Sequence, residues 1–356
     1  MTALRIAIVG CGDISQRYGR TLAPHETVEI AGATDLLPER AKLFVDEFGG
    51  RTYDSLDDVL EDADVDVVVN LTIHQAHKEV IERSLLAGKH VFSEKPLTID
   101  PVEGADLVRL ASERGVRLAC APITFLGEAQ QSAWKVIREG SLGRVRLAYA
   151  EVNWGRPELW HGNAKPFYEV GPVFDVAVYP LTILTAIFGP ARRVTASGKV
   201  LMPDRTTPTG ESFEVTTPDF AVAYIEWDDG TVARVTANFY VTYFSRQQGS
   251  IEFHGDEASL YLASWTNFDS KLERAPYGGR YEPVELAKEP FAGCEWGRGV
   301  AEMAEAIENG RPHRATGEQA AHVVEIASSI YASIRDQRPV ELSTTFTPPA
   351  PMDWAV

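Results

Sequence analysis

The sequence predicts an α/β chain: a doubly wound parallel sheet in the first half and, in the second, an α+β domain whose strands run mostly antiparallel. Three observations point there. Short aliphatic runs alternate with helical patterns up to Ala121, a glycine-rich turn directly follows the first of those runs, and after Gly189 strand-like runs succeed one another with turn signals between them. At 356 residues the chain has room for two domains, and its 44% hydrophobic and 24% charged content is that of a globular protein rather than a disordered one.

Charge and composition narrow the function. With 34 Lys+Arg against 51 Asp+Glu the formal net charge is -17, which argues against a nucleic-acid or anionic-membrane surface, so an anionic ligand must be held locally. The start, Met1 to Arg5, runs straight into a strand without the series a signal peptide needs, and no apolar run is expected to reach the ~20 residues of a membrane span. Cys11, Cys120 and Cys294 are odd in number and far apart, so a reducing, cytoplasmic setting is expected.

In chain order, Ile6 to Val9 is the first strand, and Gly10-Cys11-Gly12-Asp13-Ile14-Ser15 follows it as Gly-x-Gly-x-x-Ser, with Ser where Gly or Ala is usual. The first glycine allows the turn, the second lets a pyrophosphate approach the backbone, and the next helix offers its N-H groups. Val28 to Thr34 reads as a second buried strand that ends at Asp35, 23 residues beyond Gly12, where an acidic residue is placed to bind the adenosine ribose. The other reading of Asp35 is a helix cap ahead of Pro38. Leu36 and Leu37 come next with no Arg or Lys immediately there to meet a 2'-phosphate, so NAD is preferred over NADP.

Ser55 to Asp58 has capping-box spacing, and Val65 to Leu71 is another buried strand. The polar loop Thr72 to His77 then opens a helix that stops at Gly88. Val91-Phe92-Ser93-Glu94-Lys95-Pro96 is an apolar strand that stops at a charged pair and a proline. Ligands collect outside the carboxyl ends of parallel strands, so Lys95 is expected to look into a crevice, pinned by Pro96. A helix from Pro101 to Arg114, ended by Gly115, leads to the strand Arg117 to Ala121.

With Gly10-Cys11-Gly12, Asp35 and Glu94-Lys95-Pro96 on successive strand ends, the chain closely resembles the Gfo/Idh/MocA oxidoreductases. Ala121 to Phe125 is similar to that family's crossover into the substrate domain, and Gly171 to Tyr179 resembles its Gly-x-x-x-Asp-x-Gly-x-His helix. The resemblance implies a Rossmann domain over 1–121 and, over 122–356, a substrate-binding and oligomerisation domain on a large open, mostly antiparallel sheet. It further implies a catalytic lysine, Lys95, that touches nicotinamide and substrate, and a Lys-Pro bond that is often cis. The candidate cofactor-binding set is Gly10, Gly12, Asp13, Ile14, Asp35, Arg40, Thr72, His74, His77, Glu94, Lys95, Pro96 and Thr124.

In the second half, Gly127 to Glu139 reads as a helix and Arg144 to Trp154 as a long strand. Gly155 to Val170 reads as a loop whose Trp160, His161, Phe167 and Tyr168 suit a polyol, because rings stack on C-H faces while polar groups meet hydroxyls. Asp175 and Tyr179 lie four apart on an expected helix from Pro172 to Phe188 and so share one face, which is expected to point at Lys95. Tyr179 stands where the family's dehydrogenases usually have His, and Ala177 replaces Gly; glucose-fructose oxidoreductase is similar in carrying Tyr there. Lys95, Asp175 and Tyr179 are the candidate catalytic residues, and Trp160, His161 and Tyr168 join them as candidate substrate contacts.

Arg192 to Val200, Phe220 to Trp227, Thr231 to Tyr240, Gly249 to His254 and Ala258 to Leu262 read as strands, with Asp229-Gly230 as a hairpin signal. Trp227, Phe239 and Tyr261 are expected on an uncovered sheet face, which predicts a homodimer or homotetramer through that sheet. Glu295 to Asn309 and Gly317 to Arg335 are expected as helices of the second domain, and Thr347 to Pro351 as a surface strap. The histidines make no local metal-ligand spacing, so no metal is expected.

The resulting expectation is an NAD-dependent oxidoreductase acting on CH-OH groups, moving hydride between a secondary hydroxyl or ketone of a sugar, glycoside or cyclitol and nicotinamide. Two variants of it stay open: a sugar oxidoreductase with a retained, recycled cofactor, and an NADPH-dependent ketosugar reductase. A non-catalytic dinucleotide-binding regulator or sensor is the alternative from another class; it has no need of a proton-transfer set such as Lys95, Asp175 and Tyr179.

Overall fold

The computed structural model describes residues 3–356. Two compact units result, and the first is discontinuous: it holds the chain up to Ile123 together with Glu295–Ala321, while Thr124–Cys294 and His322–Val356 make the second.

The first unit is built on β1 (Leu4–Val9), α1 (Asp13–Leu22), β2 (Val28–Thr34), α2 (Pro38–Phe48), β3 (Arg51–Thr52), α3 (Leu56–Glu61), β4 (Val67–Asn70), α4 (His74–Leu86), β5 (His90–Ser93), α5 (Pro101–Arg114) and β6 (Leu118–Cys120). Its six strands pair in parallel in the order β3-β2-β1-β4-β5-β6. Strands covered on both faces must be aliphatic throughout, and Val67, Val68 and Val69 are all buried to within 1%. Helix starts follow local chemistry: Ser55 accepts the Asp58 N-H at 3.2 Å, and Asp100 caps α5 ahead of Pro101 by accepting the Val102 N-H at 2.8 Å.

A boundary at Ala121 overlooks the return of Glu295–Ala321 to this unit. Thr316 bridges Ala119, the Cys120 N-H donates to Ala315 at 3.1 Å, and a Cβ at Gly299 would stand 2.3 Å from the Ile123 side chain. The helix in that return therefore belongs to the first unit and not, as its sequence position suggested, to the second. An amphipathic helix shows which face it buries but not which sheet it buries it on.

The second unit contains α6 (Glu128–Arg138), β7 (Val145–Asn153), α7 (Lys165–Pro172), α8 (Val178–Phe188), β8 (Arg193–Lys199), β9 (Asp204–Thr206), β10 (Ser212–Glu214), β11 (Phe220–Glu226), β12 (Val232–Asn238), β13 (Ile251–Gly255), β14 (Ala258–Leu262), β15 (Leu272–Pro276) and β16 (Glu282–Pro283). After α9 (Arg298–Glu308), which lies in the return segment, come α10 (Gly317–Asp336) and β17 (Val340–Glu341). Nine strands form one sheet, β16-β15-β14-β13-β7-β12-β11-β8-β17, antiparallel except for β7 and β12. β9 and β10 form a separate hairpin, too short to be legible in sequence.

Alternation divides the large sheet into two faces. Ala148, Ala150, Val152, Ala233, Val235 and Ile225 are buried, while the neighbouring register row Thr195, Tyr224, Arg234, Tyr149, Glu252 and Tyr261 is polar or aromatic and more open. Of the three aromatics expected on the uncovered face, only Tyr261 is there. Trp227 is 4% exposed with its indole N-H donating to the Gly189 carbonyl at 2.9 Å, and Phe239 is fully buried. Both lie just beyond a strand end, where the alternation along the strand no longer fixes the face.

Lys165–Phe188 is 24 residues long and apolar enough to cross a membrane by composition, contrary to expectation, but most of it is buried inside the unit. Neither the loop to Val170 nor the single helix from Pro172 matches what forms here. A helix already starts at Lys165-Pro166, breaks at Gly171 (φ 70°), and passes through a π turn at Val173–Ala177 before α8. Pro in the first helical turn was the available start signal. A Cβ at Gly171 would stand 2.2 Å from the Tyr331 hydroxyl, so both backbone angle and space require glycine.

Candidate functional site

The carboxyl ends of β2, β1, β4 and β5 carry the candidate cofactor residues side by side, and the strand order reverses between β1 and β4. Gly10 has φ 92°, and a Cβ there would stand 2.9 Å from the Leu71 and Thr72 backbone, so the turn after β1 lies against the turn after β4. At Gly12, by contrast, a Cβ would meet nothing within 4 Å. Asp13 and Ile14 follow in the first turn of α1, where backbone N-H groups have no helical acceptor. Open space in front of such donors fits the pyrophosphate of a dinucleotide. Ser15, the departure from the usual small residue, is fully buried and donates to the Gly12 carbonyl at 2.7 Å, so its hydroxyl is satisfied within the turn that opens α1.

Asp35 is no helix cap: Leu37 holds that position, without a side-chain bond. One Asp35 oxygen accepts the Cys11 N-H at 2.7 Å and the other the Leu37 N-H at 2.8 Å. A carboxylate oxygen has a second lone pair, so ribose hydroxyls still find acceptors there. Burial first, and then the Asp35 charge, push the Cys11 thiol up to about 12, while exposed Arg40 acts in the other direction.

Lys95 is half-buried, and its peptide bond to Pro96 is cis. A polar brace surrounds it. The Glu94 carboxylate accepts the Tyr18 hydroxyl at 2.8 Å and the Lys95 N-H at 3.0 Å. The ring of His77 lies between the Pro96 carbonyl (Nδ1, 2.7 Å) and the Thr72 carbonyl (Nε2, 3.0 Å). Asn70 accepts the Glu94 N-H on its main-chain carbonyl at 2.8 Å, and its side chain donates to Ser93 at 3.1 Å and accepts from the Thr72 hydroxyl at 2.7 Å.

Glu94 and His77, both expected among the cofactor contacts, also serve this brace. They are 7% and 1% exposed, and both bond within the unit, Glu94 through each carboxylate oxygen and His77 through each ring nitrogen. Burial holds the His77 ring below its ordinary value even though both carbonyls favour its charged form. Thr72 and His74 stay half-buried at the rim of β4, and Pro96 is buried. Sequence reasoning missed Asn70 and Tyr18. The signal for Asn70 was a polar residue ending a run of buried valines; nothing local marks Tyr18 as a partner of Glu94.

In the second unit, Thr124 is 1% exposed, and its hydroxyl has no hydrogen-bond partner among the described residues. Asp175 lies in the π turn and Tyr179 in the first turn of α8. The turn is wound i to i+5, so the simple four-residue repeat does not carry through it, and such turns recur at functional sites. Asp175 lies near enough to Tyr331 that, after burial, its charge helps hold that phenol above the usual range. The Tyr179 ring is 8% exposed and stacks on Trp265 at 5.1 Å, a neighbour that no sequence pattern announced.

Trp160 is 46% exposed and packs on His161 (5.8 Å) and Phe167 (5.6 Å), while His161 faces the Asn163 carbonyl at 2.8 Å. Tyr168 does not join them. At 2% exposure its hydroxyl donates to Glu158, its ring lies under Arg205 at 4.9 Å, and Arg205 pairs with Glu158 at 2.9 Å and with Asp219. That makes Tyr168, expected as a substrate contact, part of a buried ionic cluster. A buried phenol needs a polar partner, and the carboxylate inside is closer than solvent. Among the described residues no group of three or more metal-ligating side chains is placed to hold an ion.

Two family models match the chain: the Gfo/Idh/MocA oxidoreductase family NAD-binding Rossmann fold over 4–121 and the Gfo/Idh/MocA C-terminal domain over 131–261. Among curated relatives, the dTDP-3,4-didehydro-2,6-dideoxy-alpha-D-glucose 3-reductase of Actinomadura kijaniata is 25% identical over 337 residues, which cover 94% of this chain and 96% of that one. The trans-1,2-dihydrobenzene-1,2-diol dehydrogenase of Mus musculus is 29% identical over 207 residues, 56% of this chain and 61% of that one. In fold, the chain is similar to the aldose-aldose oxidoreductase of Caulobacter crescentus, with TM-score 0.81 at 21% identity over 96% of this chain and 100% of that one. The glycine turn open at Gly12, the braced Lys95 and the two domain matches agree: this chain belongs to the Gfo/Idh/MocA family of NAD(P)-binding oxidoreductases.

Proposed function

We propose that this chain oxidises a secondary hydroxyl of a sugar, glycoside or cyclitol, or reduces the matching ketone, with NAD. The observation that carries the proposal is Lys95, held at the carboxyl end of β5 by the Glu94 carboxylate through its own N-H and by His77 through Pro96. When bound, the nicotinamide takes up or gives the hydride. Lys95 presents an ammonium group to the reacting oxygen and favours its alkoxide character. In reduction Tyr179 gives its phenol proton to the reacting oxygen, and in oxidation its phenolate takes the hydroxyl proton, while Asp175 fixes a neighbouring hydroxyl. Asp35, with each oxygen tied by one N-H, receives the adenosine ribose, which favours NAD over NADP. The activities named for the Actinomadura and mouse relatives, both on ring carbons bearing oxygen, support this substrate class.

Absorbance at 340 nm over a panel of sugars, glycosides and inositols, with NAD beside NADP, tests the reading. One substrate group should respond, and Lys95→Ala should lose on the order of 100-fold or more. A loss below tenfold would contradict the role of Lys95. We also infer a homodimer or homotetramer through the open row of the large sheet, where Tyr224 is 46% exposed. A monomer by gel filtration at micromolar concentration would refute that.

A further inference from the structure

In the second unit a continuous strip of rings leads away from Tyr179. Trp265 packs tilted on Tyr179 at 5.1 Å and Trp154 tilted on Trp265 at 5.8 Å, Tyr243 meets Trp154 edge-on at 5.6 Å, and Trp160 lies tilted against Tyr243 at 6.5 Å. Phe244 closes the strip against Tyr243 at 5.4 Å.

Exposure rises along it. Trp265 is 1% exposed, Tyr243 40%, Trp160 46% and Phe244 87%. The inner end is anchored: the Trp265 indole donates to the Glu151 carbonyl at 3.0 Å, and a Cβ at Gly249 would stand 2.8 Å from that ring, so the chain makes room for it. A Cβ at Gly155 would likewise stand 3.0 Å from the Tyr243 backbone, so the loops carrying Trp154 and Tyr243 are packed on one another. Exposed aromatic rings cost solvation in a folded chain, and the outer rings, Tyr243, Trp160 and Phe244, meet tilted or edge-on rather than face to face, so ring area stays open to a planar ligand.

We infer that this strip is a subsite for an aromatic aglycone, so that the substrate is an uncharged aryl glycoside rather than a free sugar. The inference rests on Tyr179 acting at the sugar; the strip then receives what the sugar carries. The exposed rings suit an uncharged ring system, while Arg246, exposed two residues beyond Phe244, is the cation a nucleoside diphosphate would have to use. Arg156, the guanidinium nearest Trp154 in sequence, is folded over the Tyr240 ring at 4.7 Å and donates to the Tyr240 carbonyl at 3.1 Å.

The test is tryptophan-fluorescence titration of the NAD-loaded protein with phenyl β-glucoside, methyl β-glucoside and UDP-glucose, beside turnover of the two glycosides. Phenyl glucoside should bind about tenfold more tightly than methyl glucoside, and a Tyr243→Ala/Phe244→Ala double variant should lose most of that preference. Tyr277→Ala, a change at a 92% exposed ring outside the strip, should keep it. Equal binding of the two glycosides, a preference that survives the double variant, or tighter binding of UDP-glucose would each overturn the inference. Aryl preference in binding without turnover of either glycoside would uphold the subsite and refute the proposed reaction instead. A double variant that alters gel-filtration size while leaving the preference intact would assign the strip to contact between copies of the chain, and overturn the subsite.

Discussion

The turn around Lys95 and the loops around Trp160 and Tyr243 are built on opposite terms. At Lys95 the surrounding groups are polar, buried and spent on one another: Glu94 on Tyr18, His77 on Pro96 and Thr72, Asn70 on Ser93 and Glu94. At Trp160 and Tyr243 the contacts are ring on ring, and 40% or more of each residue is open. A group that must meet a reacting oxygen loses rate steeply when misplaced, so fixed hydrogen bonds serve it. A group that only has to cover a ring gains from area and tolerates small shifts. A third region, the Arg205 cluster of the second unit, is as buried as the first yet has no proposed ligand.

That cluster offers the largest effect. Arg205→Ala leaves Glu158 and Asp219 as unpaired buried carboxylates and should cost about 3–5 kcal/mol in urea unfolding. Tyr168→Phe should also lower stability while leaving substrate KM in place; a raised KM at unchanged stability would return Tyr168 to the substrate site.

Acid should act next. Burial pushes His322 down to about 4, and its Nε2 accepts the Ala191 N-H at 2.9 Å, a bond only the neutral ring can accept. The unfolded chain takes up the proton first, so this contribution is intact above the ordinary value of 6.5 and is lost as pH falls from there to about 4. The loss is on the order of 3 kcal/mol. His322→Gln should flatten melting temperature against pH over that window; an unchanged slope would mean that other groups carry it.

Tyr179→Phe should lower kcat by about 100-fold with the NAD dissociation constant unchanged, as for a proton-transfer group. His77→Gln, which loosens the Pro96 and Thr72 carbonyls, should cost about tenfold in kcat, with little change in KM. If KM moved instead, His77 would belong with the ligand contacts after all.

How legible these features were depended on how local their causes are. The turn at Gly10 and Gly12 and the strand end before Asp35 were readable because each has one local cause. The aliphatic runs likewise marked the parallel sheet. The roles of Glu94 and His77 inside the unit were not readable, since their partners Tyr18 and Pro96 lie 76 and 19 residues away. Tyr168 looked like a substrate contact because its loop is aromatic, and only Arg205, from a hairpin of three-residue strands, shows what it serves. Trp265 was hidden for the same reason: its neighbour Tyr179 sits 86 residues earlier.

The central claim is that Lys95 carries the chemistry. Single-turnover absorbance at 340 nm, with NAD and saturating glycoside, tests it most directly in the wild type beside Lys95→Ala and Tyr243→Ala. Lys95→Ala should slow the hydride step by on the order of 100-fold or more, while Tyr243→Ala should mainly raise the glycoside concentration needed. A Lys95→Ala rate within tenfold of wild type would contradict the account.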